Sequence, residues 1–154
     1  MKITFKSDEH KARYIGALTH FRLVYEGKPD VEYAAALYIL TAHINTWQKA
    51  EAHISRDGID FKGMIKKKDL SSGAYALVQL AANLFYGSFE TRETKIRANM
   101  VDIVNLNEEG FQMAMEAIKI RRYGLSMDDL KDKQEVVSKQ PEDNGFLDFL
   151  VDSE

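Results

Sequence analysis

The sequence predicts an all-α fold, a compact bundle of four or five helices with at most a minor strand pair and a C-terminal tail. Three observations carry this. Residues 71–87 open on two candidate N-caps, Ser71 and Ser72, and close on Gly87, a residue suited to the left-handed position past a helix end. Between them Ala74, Leu77, Val78, Leu80, Ala81, Leu84 and Phe85 cover well over half of a helix circumference, so this helix belongs in a core. Elsewhere apolar residues recur mainly at three- and four-residue steps rather than alternating, and the 154 residues are 45% hydrophobic with only two prolines, which favours helix.

In chain order, Lys2–Phe5 alternates enough for a short strand or an extended lead-in. Ser7 caps a helix over residues 8–25, with Asp8 and Glu9 in the first turn, where the helix dipole favours acids. Its stripe is Tyr14, Leu18, Phe21 and Tyr25, with Ile15 beside it, and Gly27-Lys28-Pro29-Asp30 ends it. Asp30 caps a second helix, 31–53, striped by Tyr33, Leu37, Leu40, Ile44 and Trp47; after Trp47 it turns polar. Arg56-Asp57-Gly58 reads as a turn and Ile59–Phe61 as extended, and residues 58–65 are one of the two places where strand is expected. After the 71–86 helix, Ile96, Met100, Ile103 and Val104 indicate a helix starting in the nineties. Asn107 caps a last strong helix to residue 123, whose buried face is Phe111, Ala114, Met115 and Ile118. Helices 31–53 and 71–86 are expected to pack together at the centre, with 8–25 and 108–123 outside them.

Three regions result: a helical core domain at 1–125, a short helix and polar tether at 126–145, and an apolar, acidic docking segment at 146–154. Ser126 and Asp129 form a capping box for the short helix. Net charge is −3, but residues 126–154 hold nine acids and three lysines, which leaves residues 1–125 at +3. The chain has no cysteine, so disulfides, thiolate metal sites and cysteine nucleophiles are excluded and a reducing cytoplasm is the expected location. The first ten residues lack the apolar run of a signal peptide, and no stretch of about 18 apolar residues could span a membrane.

Residue types that carry chemistry are present without the spacing that uses them. His10, His20, His43 and His53 form two pairs ten residues apart, about −80° round a helix, so neither pair shares a face for a metal; all four read as surface or boundary residues. Ser71, Ser72 and Gly73 at a helix start offer amides to an anion, yet the phosphate-loop pattern is missing and capping accounts for both serines. Gln79 and Asn83, four apart, can bond each other or a neighbouring backbone as structural amides. No carboxylate pair is set apart by an apolar surrounding. An enzyme is therefore not expected, nor a cofactor or a metal.

Two groups remain. Lys66, Lys67, Lys68, Arg92, Lys95, Arg97, Arg121 and Arg122 would favour nucleic acid if they shared one side of the body. The pI of about 5.8 and the acidic tail count against it. Phe146, Leu147, Phe149, Leu150 and Val151 follow the polar tether with acids interleaved. As a short helix, Phe146, Phe149 and Leu150 would share a face and could dock in a groove of a partner protein, of a second copy or of the chain's own body.

Phe5-Lys-Ser-Asp-Glu-His10, Tyr33-Ala-Ala-Ala-Leu-Tyr-Ile-Leu-Thr41, the helix at 70–88 and Leu106-Asn-Glu-Glu-Gly-Phe111 leading to Ala117-Ile-Lys-Ile-Arg121 carry a resemblance. Over about residues 5–123 the chain resembles a family of small uncharacterised proteins from Gram-positive bacteria and their phages and mobile elements. The resemblance implies an accessory protein and supplies no catalytic residues. The expected function is a non-enzymatic accessory or inhibitor protein acting by protein–protein contact, with a homo-oligomer as a further option. Nucleic-acid binding through the basic residues is the alternative.

Overall fold

Short polar side chains set the main helix starts. In the computed structural model, which describes residues 1–64, 69–87, 89–90 and 95–131, Ser7 opens α1 (Asp8–His20), which is followed by a hairpin of β1 (Val24–Tyr25) and β2 (Lys28–Pro29). Asp30 opens α2 (Val31–Leu40), and α3 (Ile44–Ala50) follows it. A second hairpin, β3 (Ile54–Ser55) with β4 (Gly58–Ile59), leads to the single turn α4 (Phe61–Met64). Ser71 then opens α5 (Ser72–Tyr86), and β5 (Phe89–Glu90) pairs with β6 (Lys95–Ile96). Asn99 opens α6 (Met100–Val104), and Asn107 opens α7 (Glu108–Tyr123). A 3₁₀ turn at Met127–Leu130 carries the expected Ser126–Asp129 capping box. The all-α class holds, and strand among the described residues is confined to these three antiparallel two-residue pairs.

The centre is α2. Every residue from Tyr33 to Leu40 is buried, so this helix is enclosed on all sides, more completely than α5, which buries Ala76–Ala82 and Phe85. As expected, α2 and α5 pack on one another; α7 contacts both and α1 covers α2. The lead-in at residues 1–6 forms no strand. It is held by Tyr38, whose hydroxyl donates to the Thr4 carbonyl, and by Glu116, whose carboxylate accepts from the Thr4 amide at 3.3 Å.

Two helices end earlier than their apolar stripes predict. The first stops at His20, not residue 25, because Arg22 takes φ 56° and closes a Schellman cap. Leu23 N–H donates to Leu18 C=O at 3.0 Å and Arg22 N–H to Thr19 C=O at 3.1 Å. Arginine in that position gave no glycine to read. Leu23 follows Leu18 into the core, while Tyr25 is left 79% exposed. Glu26 and Gly27, both at positive φ, then make the tight turn of the first hairpin.

The expected helix 31–53 breaks after Leu40 into α2, α3 and a 3₁₀ turn at Glu51–His53. Thr41 turns its hydroxyl back onto the Leu37 carbonyl at 2.6 Å, and Arg13 of α1 donates to the carbonyls of Thr41 (2.8 Å) and Ala42 (3.1 Å). A guanidinium from another helix thus takes the carbonyls that a continuous helix would use itself. Ile44, expected on the buried stripe, is instead 48% exposed. Of the residues expected to be extended, Ile59 is in β4, but Phe61 begins α4, with Asp60 accepting from the Gly63 amide at 3.1 Å.

The buried face of α7 is also rotated from the expected one. Gly110, Met113, Ala114, Ala117 and Ile120 face inward together with Glu116, whereas Phe111, Met115 and Ile118 are half-buried at its edges. Residues 111–118 are apolar on several sides, so spacing could not choose; the small side chains at 110, 114 and 117 are the ones that let α7 approach the core closely.

Asn83 fastens the chain between β6 and α6 to α5. Its Nδ2 donates to the Ile96 carbonyl at 2.8 Å and the Gly87 carbonyl at 3.1 Å, and its Oδ1 accepts from the Ala98 amide at 2.5 Å. The structural reading of this half-buried amide is correct, although Gln79, which is buried, is not its partner. Asn83→Ala should destabilise the protein by about 1–3 kcal/mol, since it leaves part-buried backbone groups unpaired. Urea titration measures the loss, and Asn83→Asp, which keeps an acceptor but not the donor, should not restore wild-type stability.

Candidate functional site

The N-termini of α5 and α7 open on the same side of the body. With α3 and α6 they frame a groove of about 1100 Å³, with Ile39, Leu77, Leu106 and Met113 among its apolar lining. Ser71 and Asn107, the two caps, also line it, their side-chain oxygens accepting from Ala74 N–H (3.2 Å) and Gly110 N–H (2.8 Å). Ser71 is therefore the cap and Ser72 the first helical residue. Ser71, Ser72 and Gly73 line the groove, but Asp69, Asp102 and Glu109 line it too, against Lys49, whose amine donates to the Asp69 carbonyl. Carboxylates in that number oppose an anion.

At one end of the groove three residues distant in sequence meet. Lys6 Nζ lies 2.6 Å from His43 Nδ1 and 3.5 Å from Glu109 Oε1, and His43 Nε2 is 3.7 Å from the same carboxylate oxygen. The ammonium donates to Nδ1, which makes His43 a neutral acceptor. Burial, then the neighbouring Lys6, holds its pKa below the usual histidine value, with Glu109 opposing. Nothing in the local sequence marks this cluster; it exists because the lead-in, the α2–α3 break and the start of α7 converge.

His10 corrects the surface reading of the histidines. It is fully buried, whereas His20 is exposed and His43 and His53 are intermediate. Its Nδ1 accepts from the Lys6 amide at 3.1 Å and its Nε2 donates to the Tyr38 carbonyl at 2.8 Å, with the Phe5 and Tyr38 rings against it. Both ring nitrogens are satisfied by backbone, as in a structural core residue.

Of the basic residues that sequence reasoning grouped together, Arg97, Arg121 and Arg122 are described with their side chains. Arg121 Nε donates to the Leu84 carbonyl in the last turn of α5 at 2.9 Å, and its Nη2 lies 3.6 Å from Glu32, so it caps a neighbouring helix. Arg122 lies over the Tyr123 ring at 5.3 Å, and Arg97 is exposed just before α6. Lys66, Lys67, Lys68 and Arg92 lie outside the described residues, as does the side chain of Lys95. So do Phe146, Leu147, Phe149, Leu150 and Val151, together with the expected tether.

The helix α6 was expected, but sequence reasoning missed that one of its sides is exposed. Ile96 and Ile103 are buried as expected, but Met100, Val101 and Val104 are 68%, 63% and 63% exposed. Positions 100, 101 and 104 share one side of a helix, so this short element turns a patch of three large apolar groups to water beside the groove that Asp102 and Asn105 line. The signal was available: with Met100, Val101, Ile103 and Val104 all apolar, a five-residue helix cannot bury every one. Contiguous exposed apolar groups mark contact surfaces, whereas single ones do not.

Among the described residues no three His, Asp or Glu side chains are placed to hold a metal ion, and no helix is long and apolar enough to cross a membrane. The chain belongs to a family of unknown function, DUF6075, whose model matches residues 1–135. The match takes in every described residue and stops short of Phe146–Val151. No curated protein and no solved structure matches the chain.

Proposed function

We propose that this DUF6075 member is a non-enzymatic accessory or inhibitor protein of bacterial, phage or mobile-element origin, working in the cytoplasm through contact with another protein. The exposed side of α6 is the contact surface. The observation that supports this reading is the exposure of Met100, Val101 and Val104 together on one side of a single short helix. The acid-lined, apolar-floored groove beside them extends the surface. The engagement of Arg121 by the Leu84 carbonyl and Glu32 counts against the nucleic-acid alternative.

Capture from a bacterial extract tests this reading. The wild-type chain should retain a discrete protein, and the double variant Met100→Lys/Val104→Lys should lose at least about tenfold of it. Both positions are exposed, so circular dichroism should show an unchanged fold. Equal capture by both chains would remove α6 from the reading. Labelled DNA and RNA, titrated at about 50 and 200 mM salt, should show no specific retention; binding that collapses with salt would put the nucleic-acid function in its place.

A further inference from the structure

We infer that His10 and His43 form an acid-released latch on the N-terminal lead-in, residues 1–6, and that Lys6 is the residue they hold. Lys6 is gripped twice. Its backbone amide donates to His10 Nδ1 at 3.1 Å, and its ammonium donates to His43 Nδ1 at 2.6 Å. A ring nitrogen accepts only while it carries no proton, so both grips need a neutral imidazole. Protonation turns the two acceptors into donors and sets an imidazolium against the Lys6 ammonium. Glu109 favours the exchange. Its carboxylate lies 3.5 Å from Lys6 Nζ and 3.7 Å from His43 Nε2, so a protonated His43 competes with Lys6 for it.

The charged groups around the two rings keep the latch closed at neutral pH. Burial, partly offset by the Tyr38 carbonyl and reinforced by Arg13, His43 and Lys6, brings the pKa of His10 from 6.5 to about 4. Burial and Lys6 lower that of His43, with Glu109 opposing and Arg13 adding to the shift. Tyr38, whose ring lies against His10, is kept protonated by burial and by Glu116. The remaining ties of the lead-in use no histidine. Tyr38 donates to the Thr4 carbonyl, Glu116 accepts from the Thr4 amide at 3.3 Å, and Asp129 holds the N-terminal amine at 3.0 Å. Release would turn Ile3, now 8% exposed, and half-buried Phe5 out to water. Once the lead-in has left, both rings regain part of their ordinary basicity. The open form then binds more protons than the closed one, and acid drives opening. For His10 alone, full recovery from about 4 to 6.5 would raise the open fraction up to about 60-fold between pH 7 and pH 4.5.

Amide hydrogen exchange of the full-length chain at pH 7 and about pH 4.5, corrected for the intrinsic rate, tests the latch. Protection of the Lys6 and Thr4 amides should fall at least about tenfold, while that of Leu37 in the middle of α2 holds. His10→Gln/His43→Gln has no imidazole at either position and retains Glu116 and Asp129, so its Lys6 and Thr4 amides should change less than about threefold. An unchanged Lys6 amide in the wild type overturns the inference. So does an equal loss at Lys6 and Leu37, which is acid unfolding of the whole body. A loss of wild-type size in the double variant also overturns it, because the carboxylates would then be the cause. Should removal of His10 prevent folding, His43→Gln alone decides: a smaller drop than in the wild type supports the latch, and an equal drop overturns it.

Discussion

Leu37→Ala is expected to cost about 2–5 kcal/mol of stability, the range for removing a leucine side chain from a packed core. Leu37 is fully buried in the middle of α2, a helix that α1, α5 and α7 all pack against, so the surrounding core is held from several sides and resists closing the cavity. In a domain of this size each kcal/mol lowers Tm by roughly 2–4 °C, so the melting point should fall by about 5–15 °C. Leu80→Ala, on α5 facing the same centre, should fall within the same range, although Leu80 retains 7% exposure. Urea and thermal unfolding of both variants test this. A Leu37→Ala protein that melts with the wild type would remove α2 from the centre of the fold.

The second large effect is on acid stability, through His10. Burial, reinforced by Arg13, His43 and Lys6 and partly offset by the Tyr38 carbonyl, lowers its pKa from 6.5 to about 4. The hydrogen bonds give the same result, because Nδ1 accepts from the Lys6 amide and cannot take a proton without losing that bond. A histidine that is harder to protonate in the folded chain binds fewer protons than in the unfolded chain between pH 6.5 and 4. Its contribution is therefore complete above pH 6.5 and is lost as pH falls through that window, by about 3 kcal/mol in total. Because carboxylates also titrate near pH 4, the measurement is a difference. The stability advantage of wild type over His10→Gln should shrink by about that amount between pH 7 and pH 4. The imidazole resonances of His10 should still be those of the neutral ring at pH 5. A His10 already protonated at pH 5 would contradict its burial and its bond to Lys6.

Much of the body was legible because its signals are local. Ser7, Asp30, Ser71 and Asn107 cap helices where spacing placed them, Gly87 and Gly124 follow helix ends at positive φ, and Ser126 with Asp129 closes its box. The misreadings share a cause. Arg22 ends α1 in a conformation usually left to glycine, and Arg13 and Thr41 divide the second helix with bonds that no stretch of ten residues can display. His10 looked like a boundary residue because its partners, Lys6 and the Tyr38 carbonyl, come together only when the lead-in folds over α2.

By itself, then, the sequence determined the class of fold, the order of the main helices, their caps and the central pairing of 31–40 with 72–86. Hydrophobic period and capping chemistry act over a few residues and need no partner to be read. Tertiary structure alone decided that α2 rather than α5 is the enclosed helix and which side of α7 faces in. It also decided that Lys6, His43 and Glu109 meet at a groove, and that Met100, Val101 and Val104 are left facing water. An apolar residue states that it is better buried; whether it is depends on what the rest of the chain brings against it, and on that side of α6 Met100, Val101 and Val104 stay mostly exposed.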